Sequence, residues 1–277
     1  MISTGTDTPT RPPQAGRRWG WPVIAATLTV AALVAAGVTV WIGLRGPVHP
    51  AGPGVVHTAQ SSHTTHEAPA RLVVSIDSGG LTVRPGPAGQ VSEQRVLTWT
   101  ARQPTVTESF ARGTLTITSH CPAGQPACGT DVTLSVPPGV AVQAQLGSGD
   151  AVVSGLRGPV SLTAGSGDLR VSQLSGPLQL RSDSGDIVGE ALAAMQVDAR
   201  DTAGDVSLAF TSVPARVSGT SDAGDVSIDV PRAGGYQVRA ATSAGDRAVS
   251  IQQDPASPHA IIATSHAGDV TVAYSQP

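Results

Sequence analysis

A Gly-Asp pair recurs seven times in the second half of this chain, and it constrains the fold more than any other feature. The spacings between successive aspartates are 18, 18, 19, 20, 21 and 23 residues. Self-similarity at a period near 20 residues indicates a repeat architecture, in which one unit alone cannot bury its apolar face. The sequence therefore predicts a stack of similar turns. The aspartates are Asp150, Asp168, Asp186, Asp205, Asp225, Asp246 and Asp269.

Each repeat carries two short runs of alternating apolar residues, one on either side of its Gly-Asp pair. In the first repeat these are Val142 and Ala144 before Asp150, and Ala151 and Val153 after it. A spacing of two is the period of a β-strand, so each repeat is predicted to form two strands with one buried face. Because the step from Ala144 to Ala151 is seven positions, an odd number, an unbroken strand would point them to opposite faces, so the Gly-Asp pair must turn the chain, and glycine is suited to such a corner. We expect each aspartate to accept a hydrogen bond from an amide two residues further on, within its own turn.

These patterns predict an all-β fold: a β-solenoid, or a closely related stacked-strand prism, of about seven to eight turns of 18–23 residues, preceded by one transmembrane helix. Residues 71–83 read as a degenerate first turn, with Gly80 where the aspartate would stand. We expect each turn to lie over its predecessor in the chain. The predicted segments are a cytoplasmic tail (1–18), the transmembrane helix (19–45), a linker rich in Pro, Gly and His (46–70), an irregular β cap region (71–140) and the Gly-Asp repeat solenoid (141–277).

The predicted transmembrane helix rests on an uncharged, mostly apolar run of 22 residues, 23–44. As a helix this run would be about 33 Å long, close to the thickness of a bilayer's hydrocarbon core. Arg11, Arg17 and Arg18 precede it and only Arg45 follows closely, which places the amino terminus in the cytoplasm and the carboxy-terminal part outside. We therefore expect a single-pass protein of the cell membrane. A cleaved signal peptide is the competing interpretation.

The seven aspartates would stand in one column if the repeats stack in register. Carboxylates about 5 Å apart repel one another by about 1 kcal/mol in water, so something must offset the repulsion. The favoured interpretation is that each carboxylate caps a turn and faces solvent, with nearby arginines relieving part of the repulsion. The alternative is a cation ladder over all seven positions, because repeated oxygen ligands hold calcium in some β-rolls. Each turn here offers one carboxylate, fewer than such rolls provide, and we predict no cofactor.

Cys121 and Cys128 are the only cysteines, and on the outer side of a membrane a disulfide between them is expected. It would add about 2–3 kcal/mol by constraining the unfolded chain. The formal net charge of −3 gives no basic face, which excludes nucleic acid as an expected partner.

A family resemblance is carried by two segments. The run Val-Thr-Leu-Ser-Val-Pro-Pro-Gly at residues 132–139 is followed by Gly-Ser-Gly-Asp at 147–150 and then by the recurring Gly-Asp units. In these features the chain resembles the bacterial putative-adhesin family, β-strand-repeat proteins of unknown function, over roughly residues 71–277. The resemblance implies a membrane-anchored envelope protein, and it supplies no catalytic residues.

The preferred functional hypothesis is a non-enzymatic, membrane-tethered, extracytoplasmic protein with an adhesin-like surface. Its partners would be a cell-wall glycan, an envelope protein or another copy of the chain, since long stacked faces suit extended ligands. One alternative is a polysaccharide-acting β-helix enzyme, and another is an accessory protein of the envelope-stress response. The enzyme is disfavoured because the acids outside the Gly-Asp column form no recognisable pair. Those acids are Asp183, Glu190, Asp201, Asp222 and Asp229.

Overall fold

A computed structural model describes residues 55–66, 69–232 and 234–275, and within them the chain contains strands and loops but no helix. The 21 strands form two sheets, sheet I with 11 strands and sheet II with ten. The strands are β1 (His57–Thr65), β2 (Arg71–Ser78), β3 (Leu81–Pro85), β4 (Val91–Trp99), β5 (Thr105–Ala111), β6 (Thr114–His120), β7 (Cys128–Val136), β8 (Ala141–Ser148), β9 (Ala151–Ser154), β10 (Val160–Ser166), β11 (Leu169–Ser172), β12 (Leu178–Ser184), β13 (Ile187–Leu192), β14 (Gln196–Ala203), β15 (Val206–Phe210), β16 (Arg216–Ala223), β17 (Val226–Val230), β18 (Gln237–Ala244), β19 (Arg247–Val249), β20 (Ala260–Ala267) and β21 (Val270–Tyr274).

Each turn gives one strand to each sheet, as the two runs of alternating apolar residues predict. The strand before a Gly-Asp pair lies in sheet II and the strand after it lies in sheet I. In the turn of β10 and β11, Leu162 and Leu169 are both fully buried. Val160 pairs in parallel register with Val142 of the turn before and Leu178 of the turn after. The predicted all-β stack of parallel turns is thereby confirmed, and its core is the layer of Val, Leu, Ile and Ala between the sheets.

The glycine at each corner is required by how closely the turns stack. Gly167 has a φ of 119°, a conformation that residues with side chains rarely adopt. A Cβ placed there would lie 2.5 Å from the carbonyl oxygen of Gly149 in the neighbouring turn. A side chain at this position would therefore have to push two turns apart.

The order of turns in the stack departs from chain order at both ends. The last turn, β20 and β21, lies between the turn of β16 and β17 and the turn of β18 and β19. At the other end, the turn of β6 and β7 lies outside the turn of β2 and β3. The expectation that each turn lies over its predecessor is therefore wrong at these two places.

Arg247 gives a physical reason for the exchange at the carboxy-terminal end. It occupies the column position just after the aspartate, where other turns place a buried residue such as Val226 or Val270. Burying an unpaired guanidinium between two turns would be costly. With β18 and β19 at the end of the stack, Arg247 is exposed, and the apolar turn of β20 and β21 is buried on both sides.

The region before the repeats combines parallel and antiparallel pairing. The strands β2 and β3 stack in parallel register on β8 and β9, so the predicted degenerate first turn is confirmed. Strand β4 is antiparallel to β7, and β5 is antiparallel to β6. Arg95 forms ion pairs with the buried Glu93 and with Glu108, which joins strands of the two sheets at this end. These contacts raise the pKa of Arg95. Cys121 and Cys128 are joined by a disulfide in the loop before β7.

Part of the predicted linker is instead a strand. Residues 46–70 were predicted to be a flexible tether, but His57–Thr65 forms β1, which pairs with β4 along its whole length. Its Ser and Thr residues tolerate an extended backbone, and its polar side chains suit an edge with no buried face. No membrane-spanning helix occurs in the part of the chain that the structure describes, and the predicted segments 1–18 and 19–45 lie outside that part.

Candidate functional site

The Gly-Asp corners form one continuous ladder of hydrogen bonds along the stack. In each step, the Oδ1 atom of one aspartate accepts a hydrogen bond from the backbone amide of the aspartate in the adjoining turn. The six N to Oδ1 distances lie between 2.7 and 3.0 Å. Six of the seven carboxylates therefore cap a neighbouring turn, whereas the sequence predicted a bond within each aspartate's own turn; Asp246 ends the ladder. The ladder runs through Asp150, Asp168, Asp186, Asp205, Asp225, Asp269 and Asp246 in that order.

A further carboxylate, which the sequence analysis missed, makes the same contact nearer the amino terminus. Asp131 Oδ1 accepts a hydrogen bond from the amide of Gly80 at 2.7 Å. Asp131 is preceded by Thr130 and not by glycine, so a search for Gly-Asp pairs passes over it. The available signal is the following Val-Thr-Leu run, whose first residue, Val132, is buried like the residue after every ladder aspartate except Asp246.

The ladder explains how the stacked carboxylates are tolerated. Each amide N–H that donates to a carboxylate places a fixed partial positive charge beside it, which offsets part of the repulsion between carboxylates. Arg170 also forms an ion pair with Asp168 at 2.7 Å. No group of three or more His, Cys, Asp or Glu side chains that could hold a metal occurs among the described residues. The cation-ladder interpretation thus finds no ligand cluster at these corners. The geometry is that of a hydrogen-bonded scaffold.

A second column of side chains stands four residues before the ladder aspartates, and it contains Asp201 where the turns on either side have serine. At the equivalent positions the hydroxyls of Ser221 and Ser265 each donate a 2.8 Å hydrogen bond to a glycine carbonyl of the adjoining turn. Asp201 is buried, and its Oδ2 has no partner among the described residues. The neighbouring Ser182 Oγ in the adjoining strand is likewise without one. An ionised carboxylate has no proton to donate, so it cannot repeat the serine contact.

Burial raises the pKa of the Asp201 carboxyl from 3.8 to about 6. The amide of Ala203, which donates to Asp201 Oδ1 at 3.2 Å, opposes the shift. The carboxylates of Asp186 and Asp183 add to it. Asp201 therefore keeps its proton to a higher pH than an ordinary aspartate, and the protonated form can donate a hydrogen bond as serine does.

The outward surface of sheet II presents three parallel rows of mostly polar side chains, which we call the polar face. The rows cross β2, β8, β10, β12, β14 and β16, and register pairing places equivalent residues of successive turns side by side. Row one contains Arg71, Ala141, Pro159, Pro177, Gln196 and Arg216; row two contains Val73, Gln143, Ser161, Gln179, Asp198 and Ser218; row three contains Ser75, Gln145, Thr163, Arg181, Arg200 and Thr220.

A shallow furrow follows rows one and two of the polar face. It consists of two adjoining depressions of about 290 and 190 Å³, which share Pro177 and Gln179. Arg71 lines one end and Arg216 the other. The short side chains of row one, Ala141 and the two prolines, make the surface concave here. The furrow is open to solvent along its length and suits an extended ligand better than a compact one.

The acids outside the ladder do not converge on one site. Asp183 and Asp222 are exposed on β12 and β16 of sheet II, and Asp222 lies 3.2 Å from His266. Asp201 is buried between the sheets. Glu190 and Asp229 lie on β13 and β17 of sheet I. Hydrolysis of a glycosidic bond by the usual mechanisms uses two carboxyl groups facing one bond, whereas these five residues are spread over both sheets and the interior of the stack.

Three solved structures resemble this chain distantly over most of its length. A chain from Clostridium sporogenes described as a "putative cell adhesion protein" is 10% identical, with a TM-score of 0.38, and the match covers 79% of this chain and 100% of that chain. A "putative adhesin" from Bacteroides fragilis is 11% identical, with a TM-score of 0.34, and the match covers 78% of this chain and 97% of that chain. A "putative lipid binding protein" from Parabacteroides distasonis is 10% identical, with a TM-score of 0.32, and the match covers 81% of this chain and 98% of that chain. Likenesses this distant carry no functional conclusion, and no curated protein matches the chain.

The family assignment rests on the sequence profile of the Toastrack DUF4097 family, which matches residues 131–275. This span contains all seven Gly-Asp corners and Asp131. The resemblance to β-strand-repeat proteins of unknown function is thereby confirmed. The chain belongs to the Toastrack DUF4097 family.

Proposed function

We propose that this protein is a non-enzymatic binding module, tethered to the cell membrane and exposed on its outer side, with the polar face of sheet II as its contact surface. The observation that carries the proposal is the set of three in-register rows on that face. Most of their side chains carry amide, hydroxyl or guanidinium groups, which hydrogen-bond to glycans and to protein surfaces alike. A cell-envelope glycan or an envelope protein is the expected partner.

The ladder makes such a face useful for binding because it fixes the spacing of the rows. Adjacent strands in a sheet lie about 4.8 Å apart, and the amide-to-carboxylate contacts hold every corner to that spacing. A surface that is already ordered loses little conformational freedom when it binds, so more of the contact energy appears as affinity.

The membrane tether is supported by the sequence and by the disulfide. The apolar run 23–44 within the predicted helix 19–45 is long enough to span a bilayer, and the arginines at 11, 17 and 18 favour an amino terminus inside. The Cys121–Cys128 disulfide suits an oxidising environment such as the outer side of a bacterial membrane.

The absence of catalysis is proposed because the acids outside the ladder are separated. The ladder acids hold the corners through their Oδ1 atoms, and the other acids lie on two different sheets or inside the stack. General acid–base catalysis needs two groups within reach of one substrate bond. A binding role needs no such convergence.

The proposal is tested with the full-length protein and purified cell envelopes. We expect the protein to sediment with envelope material, to release no soluble sugar from it, and to remain in membranes with an intact amino terminus after alkaline washing. Gln179→Ala, on the polar face, is expected to reduce envelope retention two- to fivefold. The matched change Gln94→Ala, on the exposed surface of β4 in sheet I, is expected to leave it unchanged.

Three results would contradict separate parts of the proposal. A mature chain that begins after residue 45 would exclude the membrane tether. Sugar release that an acid-to-amide substitution abolishes would show an enzyme. Equal retention of the Gln179→Ala and Gln94→Ala variants would exclude the polar face as the contact surface.

A further inference from the structure

Three arginines on the polar face lack a carboxylate partner. Arg71, Arg181 and Arg216 are exposed, and none of them forms an ion pair within the described residues. By contrast, Arg200 on the same face pairs with Asp198 at 3.1 Å. From residue 141 onward the chain has 14 acidic residues and eight arginines. Unpaired guanidinium groups gathered on one face of an otherwise acidic domain indicate an anionic ligand.

The furrow between these arginines is lined by groups that match hydroxyls. The amides of Gln143, Gln179 and Gln196 each offer donors and an acceptor, and the hydroxyls of Ser161 and Ser218 offer both. No aromatic side chain lines the furrow in the described part of the chain. Sugar binding by stacking on an aromatic ring is therefore not available here, and polar and ionic contacts must supply the affinity.

The furrow is long enough to bind an extended polymer. From Arg71 on β2 to Arg216 on β16 the surface crosses five strand spacings, which amounts to about 24 Å. A single small anion would engage one end only. A chain that bears regularly spaced anionic groups and hydroxyls would meet Arg71, the amides and Arg216 along one path, with Arg181 at the side.

We propose that the furrow binds an extended polysaccharide that carries carboxylate groups. This inference rests on the proposed binding function and names its ligand class. A guanidinium group fits a carboxylate through two parallel hydrogen bonds, while the Gln and Ser side chains bind ring hydroxyls. Asp198, the one acid within the three rows, is paired with Arg200. The exposed Asp183 and Asp222 lie beyond row three, away from the furrow along rows one and two.

An acidic peptide fits this surface less well. Extended peptides gain much of their affinity by adding a strand to a free sheet edge. The furrow instead runs across β2, β8, β10, β12, β14 and β16, whose backbone groups already pair with the flanking strands. Only side chains are offered, and most of them match hydroxyls, which a polysaccharide carries on every ring.

The test uses the full-length protein in detergent with polygalacturonate as the probe. Fully methyl-esterified polygalacturonate is the matched ligand control, because it keeps the sugar chain and removes the charge. The variants are Arg71→Gln, Arg216→Gln and the double change. Arg84→Gln is the protein control, because Arg84 is an exposed arginine of β3 in sheet I without an ion pair among the described residues.

We expect polygalacturonate to bind and its methyl ester to bind at least tenfold more weakly. Each furrow substitution is expected to weaken binding two- to fivefold, or about 0.4–1 kcal/mol, which lies within the range of an exposed ion pair. The double variant should lose about four- to 25-fold, because the two sites are far apart and independent. Affinity should fall as salt is raised, and Arg84→Gln should change nothing.

Equal binding of the ester, or an equal loss in the Arg84→Gln variant, would overturn the proposal. Tighter binding of poly-glutamate than of polygalacturonate would assign the furrow to an acidic peptide instead. Retention on cell envelopes without any binding of polygalacturonate would reject this ligand class while leaving the binding function in place. Loss of both would reject the two proposals together.

Discussion

Asp225 Oδ1 accepts a hydrogen bond from the backbone amide of Asp269 at 2.7 Å, although the two residues are 44 positions apart in the chain. The aspartate that follows Asp225 in the sequence is Asp246, whose amide donates to Asp269 Oδ1 at 2.8 Å. The ladder thus follows spatial order. Its contacts recur at the same corner whatever length of chain connects the turns, so the corner is the unit that holds the stack together.

The ladder predicts that an aspartate whose carboxylate accepts an amide hydrogen bond contributes more to stability than one whose carboxylate accepts none. Asp225→Ala removes the acceptor for the Asp269 amide and should lower the free energy of unfolding by about 1–2 kcal/mol. Asp225→Asn keeps an Oδ1 acceptor and should cost less than half as much. The measurement is urea denaturation of the full-length protein, followed by circular dichroism.

Asp246 provides the control for that series, since its side chain accepts no hydrogen bond from a described residue at the end of the ladder. Asp246→Ala should change stability by less than about 0.5 kcal/mol, as surface substitutions commonly do. A loss equal to that of Asp225→Ala would show that charge and not the amide contact determines the effect.

The corner glycines should be the least replaceable residues of the stack. Gly167→Ala places a Cβ 2.5 Å from the Gly149 carbonyl oxygen at a φ of 119°, and should destabilise the domain by more than about 3 kcal/mol. Gly139→Ala meets no atom within 4 Å and should be nearly neutral. Thermal unfolding of both variants would check this, and similar melting temperatures would contradict the close stacking of the turns.

Much of the stack could be predicted from sequence because each column repeats one chemical requirement. The alternating Val142 and Ala144 indicate a strand, and the recurring Gly-Asp indicates a corner. The destination of the Asp150 carboxylate could not be predicted in the same way. An aspartate at the corner can accept a hydrogen bond from an amide of its own turn or of the adjoining turn. Which amide it meets depends on the distance between turns, which the sequence does not give.

The features that the sequence did not predict depend on strand pairings that produce no periodic pattern of apolar residues. Strand β1 has two solvated faces, so its Ser and Thr residues read equally well as a linker. The exchange of turns does have a signal, Arg247 in an otherwise apolar column, but its meaning depends on which turn ends the stack. The polar face is similar: sequence alternation marks its residues as outward, whereas the furrow arises from the short residues Ala141, Pro159 and Pro177 standing side by side.

Asp201 should make stability depend on pH in the opposite sense from an ordinary ion-paired carboxylate. Its pKa is raised to about 6 in the folded protein and returns to near 3.8 on unfolding, so the folded state binds more protons between these values. Its contribution to stability is therefore fully present below about pH 3.8 and is lost as the pH rises through about 6.

Asp201→Ser should remove this dependence, because serine occupies the register-paired positions Ser182 and Ser221 on either side. At pH 8 the variant should be more stable than the native protein by about 1–2 kcal/mol, since a buried carboxylate whose Oδ2 lacks a hydrogen-bond partner among the described residues has been removed. Asp229→Ser, on β17 of sheet I and so away from Asp201, is the control. A native-minus-variant difference that stays constant from pH 4 to pH 8 would contradict the assignment.

The exchanged order of the last two turns can be tested by cross-linking. Thr220 and Thr264 are register partners on adjacent parallel strands, β16 and β20. Replacing both with cysteine puts their Cα atoms about 4.8 Å apart, within the range that a disulfide spans. Mild oxidation of the full-length variant should therefore form a bond, which mass spectrometry of a non-reduced digest would detect.

The matched pair is Thr220 with Ala241, which would be adjacent if the turns followed chain order. In the structure β20 lies between them, since Ala241 is the register partner of Thr264. Their Cα atoms should be about 9.6 Å apart, beyond the reach of a disulfide without backbone movement. Efficient cross-linking of this second pair, with none in the first, would restore chain order to the stack and remove the exposed end position that Arg247 requires.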